Sequence, residues 1–428
     1  MLIAAISFVV LMVIGVPIAL VLGIMGSIHT ISLGNPAYLM VIVQRLYDQI
    51  NNSSLTCLPF FILAGELMNA GGVTKRLLDF IRELIGWLKG GMAYATVIIS
   101  AILSSILGSP NAVCSMLCGV LVPELRKDGY DDEFTGSLVA ASSILGPIIP
   151  PSTSFVMYCM LTNTSIKAMF VAGILPGILL ALMFCVLISF FAHKRGYSKS
   201  IDHVSGRRLG KAFLAALPAL LVPAVIIGGV IGGIFTATES GAVSCICALI
   251  ASAIYKDMDW KRLPSVLLKG AVVGGGILLM ISCGGVIAWS MTRSGIPAKL
   301  IEFVTGLTSS RAVITLIMLL ILMVGGMLLD NGTMAMVFNP VLFPLGTAIG
   351  FDPVHFGIMF SCMLTIGYMT PPVGVVLFVT SNISGIPFKK LCKQIWPFAV
   401  GAIIVIATLS FLPEDIVLWL PRLTGYAG

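Results

Sequence analysis

Leu107-Gly108-Ser109-Pro110-Asn111 interrupts an apolar stretch that covers residues 92–125. As one helix, this stretch would be about 50 Å long at a rise of about 1.5 Å per residue, which exceeds the ~30 Å hydrocarbon core of a bilayer. It is too short for two complete spans, and Gly, Ser and Pro in succession break helices. The pattern predicts a re-entrant helical hairpin over 92–125 with its tip near the middle of the membrane.

A second copy of this hairpin follows 221 residues later. The same shift places Gly146 on Gly367 and Pro150-Pro151 on Pro371-Pro372. The second hairpin covers 312–345 and breaks at Leu328-Leu329-Asp330-Asn331-Gly332. The chain is therefore interpreted as an internal duplication, with repeats over 1–193 and 214–428 and a linker over 194–213.

The composition indicates an integral membrane protein. Of the 428 residues, 58% are hydrophobic and 10% are charged, whereas soluble domains have roughly 25% charged residues. Basic side chains collect in the linker and in four other loops, and the positive-inside rule places these loops in the cytoplasm. This distribution explains the net charge of +7 without a nucleic-acid partner and places both termini outside the cytoplasm.

Five membrane crossings are predicted in each half. They cover 2–25, 37–54, 57–72, 134–163 and 168–192 in the first half, and 214–236, 240–255, 270–292, 355–383 and 395–420 in the second. Because five is odd, the second half starts on the opposite side, which gives two repeats of inverted topology, as in many secondary transporters. The first hairpin then enters from the cytoplasm, the second enters from outside, and their tips approach each other.

Each hairpin is followed by a helix with a break of its own. Residues 146–151 interrupt the segment 134–163, and residues 367–372 interrupt the segment 355–383. Proline lacks an N–H group and disfavours helical geometry before it, so carbonyl oxygens at the breaks lack helical partners. Unpaired carbonyls are costly in hydrocarbon, and a desolvated Na⁺ is the ligand that we expect there. The alternative is a Pro-kinked helix whose carbonyls are satisfied by water or Ser/Thr side chains.

Two amphipathic segments, 75–89 and 298–307, precede the hairpins. Apolar residues lie on one face of each segment, which predicts a helix along the membrane surface. Such helices are either braces of a moving hairpin or simple connectors.

Few acidic residues fall within the apolar segments. Because a carboxylate is costly inside a membrane, each of these residues is a candidate functional residue. Asp330 aligns with Ser109 of the other tip, so both are expected to face a common cavity. Glu66 belongs either to a hydrogen-bond network or to the transport pathway. Glu239 follows Thr236 at the spacing of a capping box at a helix start.

The helices that begin at the hairpin breaks are expected to direct N–H groups towards the cavity, which favours a carboxylate ligand. These helices are predicted to start at Ala112 and Thr333, with Ser109 and Asn331 able to donate hydrogen bonds or to cap. A carboxylate could therefore be held without an arginine. Sodium at the breaks would order the tips and raise the affinity for the substrate.

Four dispersed motifs resemble the large membrane subunit of tripartite ATP-independent periplasmic (TRAP) transporters. They are Pro59-Phe60-Phe61-Ile62-Leu63-Ala64-Gly65-Glu66-Leu67-Met68, Gly233-Ile234-Phe235-Thr236-Ala237-Thr238-Glu239, Gly326-Met327-Leu328-Leu329-Asp330 and Thr370-Pro371-Pro372-Val373-Gly374. The resemblance implies an all-α, elevator-type secondary transporter of a bacterial inner membrane that is driven by Na⁺ and uses no organic cofactor. It also implies a small four-span membrane subunit and a periplasmic substrate-binding protein as partners. The substrate would be an organic acid such as a C4-dicarboxylate or sialic acid.

The resemblance further implies site residues. Carbonyl groups of one Na⁺ site map to Ser104, Leu107, Gly146, Ile149 and Pro150, those of a second Na⁺ site map to Gly325, Gly367, Thr370 and Val373, and substrate contacts map to Ser109, Ser154 and Asp330. The first tip in the family has small residues of the Ser-Gly-Ser type, whereas this chain has Pro110 and Asn111.

Other classes of function fit the sequence less well. The Walker-like residues 206–212 are one residue short and lack Ser or Thr, which disfavours an ATP-driven pump. An intramembrane enzyme would need a catalytic pair, and the carboxylates in the spans are isolated. The main alternative is a Na⁺-dicarboxylate symporter that works alone, without subunits.

Overall fold

The computed structural model describes residues 2–197, 199–201 and 205–427. These residues form 22 α-helices, two short 3₁₀ helices and no strand, so the all-helical prediction is confirmed. Positions 198 and 202–204 of the predicted linker lie outside the described residues. The helices are α1 (Leu2–Ile14), α2 (Ile18–Ser32), α3 (Tyr38–Ile50), α4 (Cys57–Ala70), α5 (Val73–Ile85), α6 (Gly91–Leu107), α7 (Pro110–Lys127), α8 (Asp132–Ser143), α9 (Thr153–Thr162), α10 (Ile166–Arg195), α11 (Gly206–Ile231), α12 (Ala237–Tyr255), α13 (Leu263–Arg293), α14 (Ile296–Leu307), α15 (Arg311–Leu328), α16 (Asn331–Ala348), α17 (Pro353–Gly367), α18 (Val375–Ser384), α19 (Phe388–Gln394), α20 (Trp396–Phe411), α21 (Glu414–Val417) and α22 (Trp419–Leu423).

Several helices are suited to cross a membrane. Five of the described helices, α10, α11, α12, α13 and α15, are long and apolar enough to do so alone, and two bent pairs would raise this number to seven. The prediction of a single span over 2–25 is wrong. Gly15 adopts a φ of +83° and Pro17 cannot continue the hydrogen-bond ladder of α1, so the segment forms α1 and α2 instead.

The two hairpin regions are pairs of helices that meet at a break. In the first, α6 ends at Leu107 and α7 begins at Pro110; in the second, α15 ends at Leu328 and α16 begins at Asn331. A shift of 221 places both ends of α7 on the ends of α16. Gly108 turns the first tip with a φ of +57°, a conformation that favours glycine.

The segments after the hairpins are broken helices as well. The first consists of α8 and α9, separated by residues 144–152, and the second of α17 and α18, separated by residues 368–374. The predicted breaks at 146–151 and 367–372 lie at these gaps, apart from Gly367, which is the last residue of α17.

The helices pack into two groups. We define the outer group as α1–α4 and α11–α13, in which α13 packs against α2, α3 and α4. We define the core group as α6–α10 and α15–α20, which holds both hairpins and both broken helices. The groups meet where α13 packs against α16 and where α4 packs against α6.

The two amphipathic segments form α5 and α14, which connect these groups. The axis of α5 is bent by 72° from that of α4. Its apolar face, with Leu77, Leu78 and Ile81, is buried, and the helix packs against both α11 and α6. Helix α14 packs against α13 and α16. Each of these two helices therefore contacts the outer group and a hairpin.

Helices of each half pack against the hairpin of the other half. Helix α18 packs against α7, and α9 packs against α16. The 221-residue shift exchanges α7 with α16 and α9 with α18, so each contact maps onto the other. Reciprocal contacts of this kind are those of a two-fold arrangement, in which each partner presents the same surface.

Candidate functional site

The two hairpin tips border one cavity of about 360 Å³. Its wall includes Ser109 from the first tip, Ser154 from α9 and Asp330 from the second tip. Ligand-binding pockets range from roughly 300 to 1,000 Å³, so the space is adequate for a small molecule. The structure thus brings the three predicted substrate contacts to one place.

The second tip has a side-chain cap. Asp330 precedes α16, and its Oδ2 accepts a hydrogen bond from the backbone N–H of Thr333 at 3.1 Å. The Thr333 hydroxyl donates to the other carboxylate oxygen. A cap of this type contributes about 1 kcal/mol, and the positive end of the helix favours the negative charge. Asp330 is therefore engaged with the start of its own helix.

The first tip has no such cap. Ser109 precedes α7 with an extended backbone, and its side chain makes no capping hydrogen bond. Pro110 occupies the first turn of α7, a position where its missing N–H removes no helical hydrogen bond. The N-terminal N–H groups of α7 are therefore left without a capping side chain.

The first tip is tied to its broken helix instead. The hydroxyl of Thr153, at the start of α9, donates to the carbonyl oxygen of Gly108 at 2.8 Å. Sequence reasoning missed this bond, because it joins residues 45 positions apart. It fixes the first tip against the helix that supplies Ser154.

Asn331 holds a defined amide orientation at the second tip. The Thr365 hydroxyl donates to the carbonyl oxygen of Ser361 at 2.7 Å, so its oxygen is an acceptor for Asn331 Nδ2 at 2.9 Å. This arrangement directs Oδ1 of Asn331 away from Thr365. The Asn331 residue is 9% exposed, and its Oδ1 is buried without a hydrogen-bond partner among the described residues.

The first tip contributes a second acceptor of this kind. Oδ1 of Asn111 is also buried without a partner in the described part of the chain. Asn111 and Asn331 both line the cavity. Both oxygens have almost no accessible surface, so a ligand in the cavity does not reach them in this conformation.

The first group of predicted Na⁺ ligands lies behind the first tip. A methyl group on Gly146 would lie 3.1 Å from the carbonyl oxygen of Ser143 and 3.3 Å from the carbonyl carbon of Ser109, so the break touches the tip. The Ser104 carbonyl already accepts from the Gly108 N–H at 3.1 Å. Within the described residues, no hydrogen bond reaches the other four predicted carbonyls, which belong to Leu107, Gly146, Ile149 and Pro150.

The second group lies behind the second tip in a tighter arrangement. A methyl group on Gly367 would lie 2.6 Å from the carbonyl oxygen of Met323 on α15. The carbonyls of Gly325 and Gly367 accept from backbone N–H groups at 3.2 and 2.9 Å. Those of Thr370 and Val373 accept no hydrogen bond from the described residues.

Carbonyl oxygens are the cation ligands that the breaks offer. The part of the chain that the structure describes contains no group of three or more His, Cys, Asp or Glu side chains that could hold a metal ion. Backbone carbonyls coordinate alkali cations in other membrane proteins. The unpaired carbonyls at both breaks fit a monovalent cation better than a transition metal.

Glu66 lies on the outer-group side of the cavity. Its carboxylate forms an ion pair with Lys269 of α13, with an N–O distance of 2.8 Å. The cavity adjoins a second space that shares Leu107 and Asn111 and extends to Lys75 and Lys269. Lys75 belongs to α5 and Lys269 to α13, so the two spaces together extend from the tips to these two helices.

Comparison with known families agrees with this architecture. Residues 5–414 match the family described as tripartite ATP-independent periplasmic transporter, DctM component. The chain belongs to this family. The resemblance drawn from the four sequence motifs is thereby confirmed, and the chain is a multi-pass membrane transport protein.

Individual DctM-family relatives align with nearly the whole chain. The sialic acid TRAP transporter large permease protein SiaM of Vibrio cholerae is 34% identical, with 90% of each chain covered. The C4-dicarboxylate TRAP transporter large permease protein DctM of Pseudomonas aeruginosa is 31% identical, with 94% of each chain covered. The crystal structure of the YdaH transporter of Alcanivorax borkumensis has a TM-score of 0.65 at 12% identity and covers 92% of this chain and 96% of its own. That likeness shows a shared fold.

Proposed function

We propose that this DctM-family chain is the membrane-embedded subunit of a Na⁺-coupled, binding-protein-dependent secondary transporter that imports an organic acid. The observation that carries the proposal is the cavity between the two hairpin tips, where the predicted substrate residues meet beside unpaired carbonyl oxygens. The names of the relatives support an organic acid, since one is a sialic acid transporter protein and the other a C4-dicarboxylate transporter protein.

The anion is held by the N-terminal end of helix α7. The uncapped start of α7 presents N–H groups and the positive end of a helix dipole to the cavity. Ser109 and Ser154 add hydroxyl groups nearby. A carboxylate fits this arrangement without a basic side chain.

Sodium is bound at the two breaks through carbonyl oxygens. The first site uses Leu107, Gly146, Ile149 and Pro150 with Ser104, and the second uses Thr370 and Val373 with Gly325 and Gly367. Since Gly146 touches Ser109, a cation at the first break orders the same tip that receives the anion. Na⁺ and substrate then raise each other's affinity through this shared structure.

Transport proceeds by an elevator motion of the core group against the outer group. Both hairpins and both broken helices belong to one packed group, which suits movement as a unit. The reciprocal packing of α18 on α7 and of α9 on α16 supports two-fold-related repeats, and a two-fold axis in the membrane plane gives them inverted topology. The helices α5 and α14, which contact both groups, then act as braces.

The partners are a small four-span membrane subunit and a periplasmic protein that delivers the acid. The protein resides in the bacterial inner membrane with both termini in the periplasm. The core group needs a fixed frame to move against, and the membrane-facing side chains of α1 and α3 offer apolar surface for a second subunit, with Val13 82% and Met40 65% exposed.

A reconstitution experiment tests this function. The full chain is placed in liposomes with and without a four-span small subunit of a TRAP transporter, and radiolabelled acid is supplied with and without a binding protein. Uptake is expected only with both partners and an inward Na⁺ gradient, and a K⁺ gradient of the same size serves as the control. Uptake by the chain alone would identify the stand-alone symporter instead, and equal uptake in K⁺ would contradict Na⁺ coupling.

A further inference from the structure

A second cavity lies between the amphipathic helix α5 and the first turns of α11. Its volume is about 510 Å³, and it shares no lining residue with the cavity between the hairpin tips. Its wall is rich in charge, with Arg76, Asp79, Arg82 and Glu83 from α5 and Arg208 and Lys211 from α11. The proposed transport function makes no use of this space.

Most of these charged side chains are already paired. The ion pairs are Arg76 with Asp257, Arg82 with Glu124 and Arg208 with Glu83, at N–O distances of 2.5, 3.2 and 3.7 Å. Lys211 and Asp79 form no ion pair with any residue that the structure describes, and they do not pair with each other. The wall therefore keeps one cation on α11 and one anion on α5, which is complementary to a ligand that carries both charges at separate places.

The cavity lies where the sequence places lipid headgroups. Helix α5 is the segment predicted to lie along the membrane surface, and Lys211 comes three residues before the span predicted to start at 214. Next to Lys211 along α11, Phe213 is 42% exposed and Leu214 is 67% exposed. The ring of Phe213 packs against Phe80 of α5 with the ring centroids 5.5 Å apart. An apolar surface thus adjoins the charged wall, which suits a lipid better than a soluble ion.

We propose that this cavity binds the headgroup of an aminophospholipid, a lipid that carries a phosphate and a primary ammonium group. The phosphate accepts hydrogen bonds from the Lys211 ammonium, and the lipid ammonium donates to the Asp79 carboxylate. Both bonds are charge-assisted and therefore stronger than neutral ones. The acyl chains lie along Leu214 and the apolar face of α11.

The bound lipid joins α5 to α11 of the outer group. Helix α5 is also tied to the end of α7 through the ion pair between Arg82 and Glu124. The headgroup therefore lies beside the helix that links the outer group to the first hairpin.

Three lipids with identical dioleoyl chains separate the features of this ligand. Phosphatidylethanolamine has both charges and N–H donors, phosphatidylcholine has both charges without N–H donors, and phosphatidylglycerol has the phosphate without a cation. Each is titrated into the full chain in a mild detergent, and the fraction of chains that retain lipid is measured by native mass spectrometry.

Phosphatidylethanolamine is expected to bind at least about fivefold more tightly than either other lipid, a ratio that corresponds to about 1 kcal/mol. Equal binding of phosphatidylcholine would overturn the proposal, because the N–H donors would then contribute nothing. Equal binding of phosphatidylglycerol would overturn it as well, since Asp79 would then have no role. Soluble phosphoethanolamine, which has no acyl chains, is expected not to displace the lipid at the same concentration. Displacement would identify a site for a soluble ion instead.

Two variants assign the two charges. Lys211→Gln is expected to weaken the binding of phosphatidylethanolamine and phosphatidylglycerol alike, by about fivefold, because it removes the partner of the phosphate. Asp79→Asn is expected to weaken only phosphatidylethanolamine and so to remove its preference over phosphatidylglycerol. Lys211→Arg and Asp79→Glu, which keep the charges, are expected to retain most of the binding.

Lys261→Gln is the matched control, since Lys261 is an exposed lysine that lies outside this cavity. Unchanged lipid binding in Lys211→Gln, an unchanged lipid preference in Asp79→Asn, or an equal loss in Lys261→Gln would contradict the proposal. The unfolding temperature of each variant in phosphatidylcholine shows whether it is folded. None of these measurements requires Na⁺, an organic acid or transport, so their outcome is independent of the proposed function.

Discussion

The two hairpin tips occupy equivalent positions in the duplicated sequence and differ in how the following helix begins. Asp330 caps α16, whereas its counterpart Ser109 leaves the start of α7 uncapped. The duplication thus repeats the break in the backbone, and the side chains give the two breaks different chemistry. One tip is ordered by its own carboxylate, and the other is free to receive a carboxylate from a ligand.

The largest effect is expected from removal of the cap at the second tip. Asp330→Ala leaves the N–H of Thr333 without its acceptor, destabilises the start of α16 by about 1 kcal/mol and disorders the cavity wall. We expect uptake to be abolished while assembly with the small subunit persists. Asp330→Asn, which can also cap a helix, separates the loss of the cap from the loss of the charge. Normal uptake by Asp330→Ala would refute the role of this residue.

A smaller effect, on thermal stability, is expected when the glycines of the two breaks are replaced by alanine. A methyl group on Gly367 meets backbone oxygen at 2.6 Å, whereas one on Gly146 meets it at 3.1 Å. Overpacking of this kind costs about 1–3 kcal/mol, and backbone atoms cannot rotate away. Gly367→Ala should therefore lower the thermal unfolding temperature in nanodiscs more than Gly146→Ala. The reverse order would show that the second break is the looser of the two.

The bond from Thr153 to Gly108 exists only in the first half, because the position equivalent to Thr153 is Gly374. Thr153→Val should destabilise the first tip by about 1 kcal/mol, the usual net contribution of one hydrogen bond. Amide hydrogen exchange should then increase at residues 107–111 and not at 328–332. Thr153→Ser retains the hydroxyl and is the control. Equal exchange in both tips would contradict this asymmetry.

The smallest effect is expected on the pH dependence of stability, through the aspartates that precede the two broken helices. Asp131, before α8, accepts from Tyr197 and Arg195 and makes no helix cap, whereas Asp352, before α17, caps its own helix and also accepts from Tyr426. The hydrogen bond from Tyr197, with that from Arg195, lowers the pKa of Asp131. A lowered pKa stabilises the fold above the unfolded-state value of about 3.9, and the contribution is lost as the pH falls through the folded-state value below it.

Asp131→Asn should therefore reduce the difference in unfolding temperature between neutral pH and the range below about pH 4. Tyr197→Phe should reproduce part of this change, since it removes one of the two donors. A pH profile identical to that of the unmodified chain would contradict the assignment.

Features with local causes could be predicted from the sequence. The capping box of Thr236 and Glu239 is confirmed, because three-residue spacing alone determines it. The helix breaks at Gly108 and Asp330 also follow from neighbouring residues. The single span over 2–25 was wrong because apolar composition outweighed Gly15 and Pro17, which end α1.

Features with distant causes could not be predicted. The orientation of the Asn331 amide depends on Thr365, 34 residues away, and on the hydroxyl bond from Thr365 to Ser361. The sequence contains no signal for that arrangement. The fold and the breaks were therefore accessible from the sequence, whereas the side-chain hydrogen bonds around the cavity required the packed structure.

The most direct test of the central claim is whether the tips share one binding cavity. Ser109→Cys at the first tip and Ser154→Cys on α9, beside Asn331, are introduced singly after replacement of the native cysteines, and their rates of reaction with an anionic thiol reagent are measured. The account predicts that Na⁺ with organic acid slows both reactions over the same range of acid concentration. Protection of only one cysteine, or of neither, would contradict it.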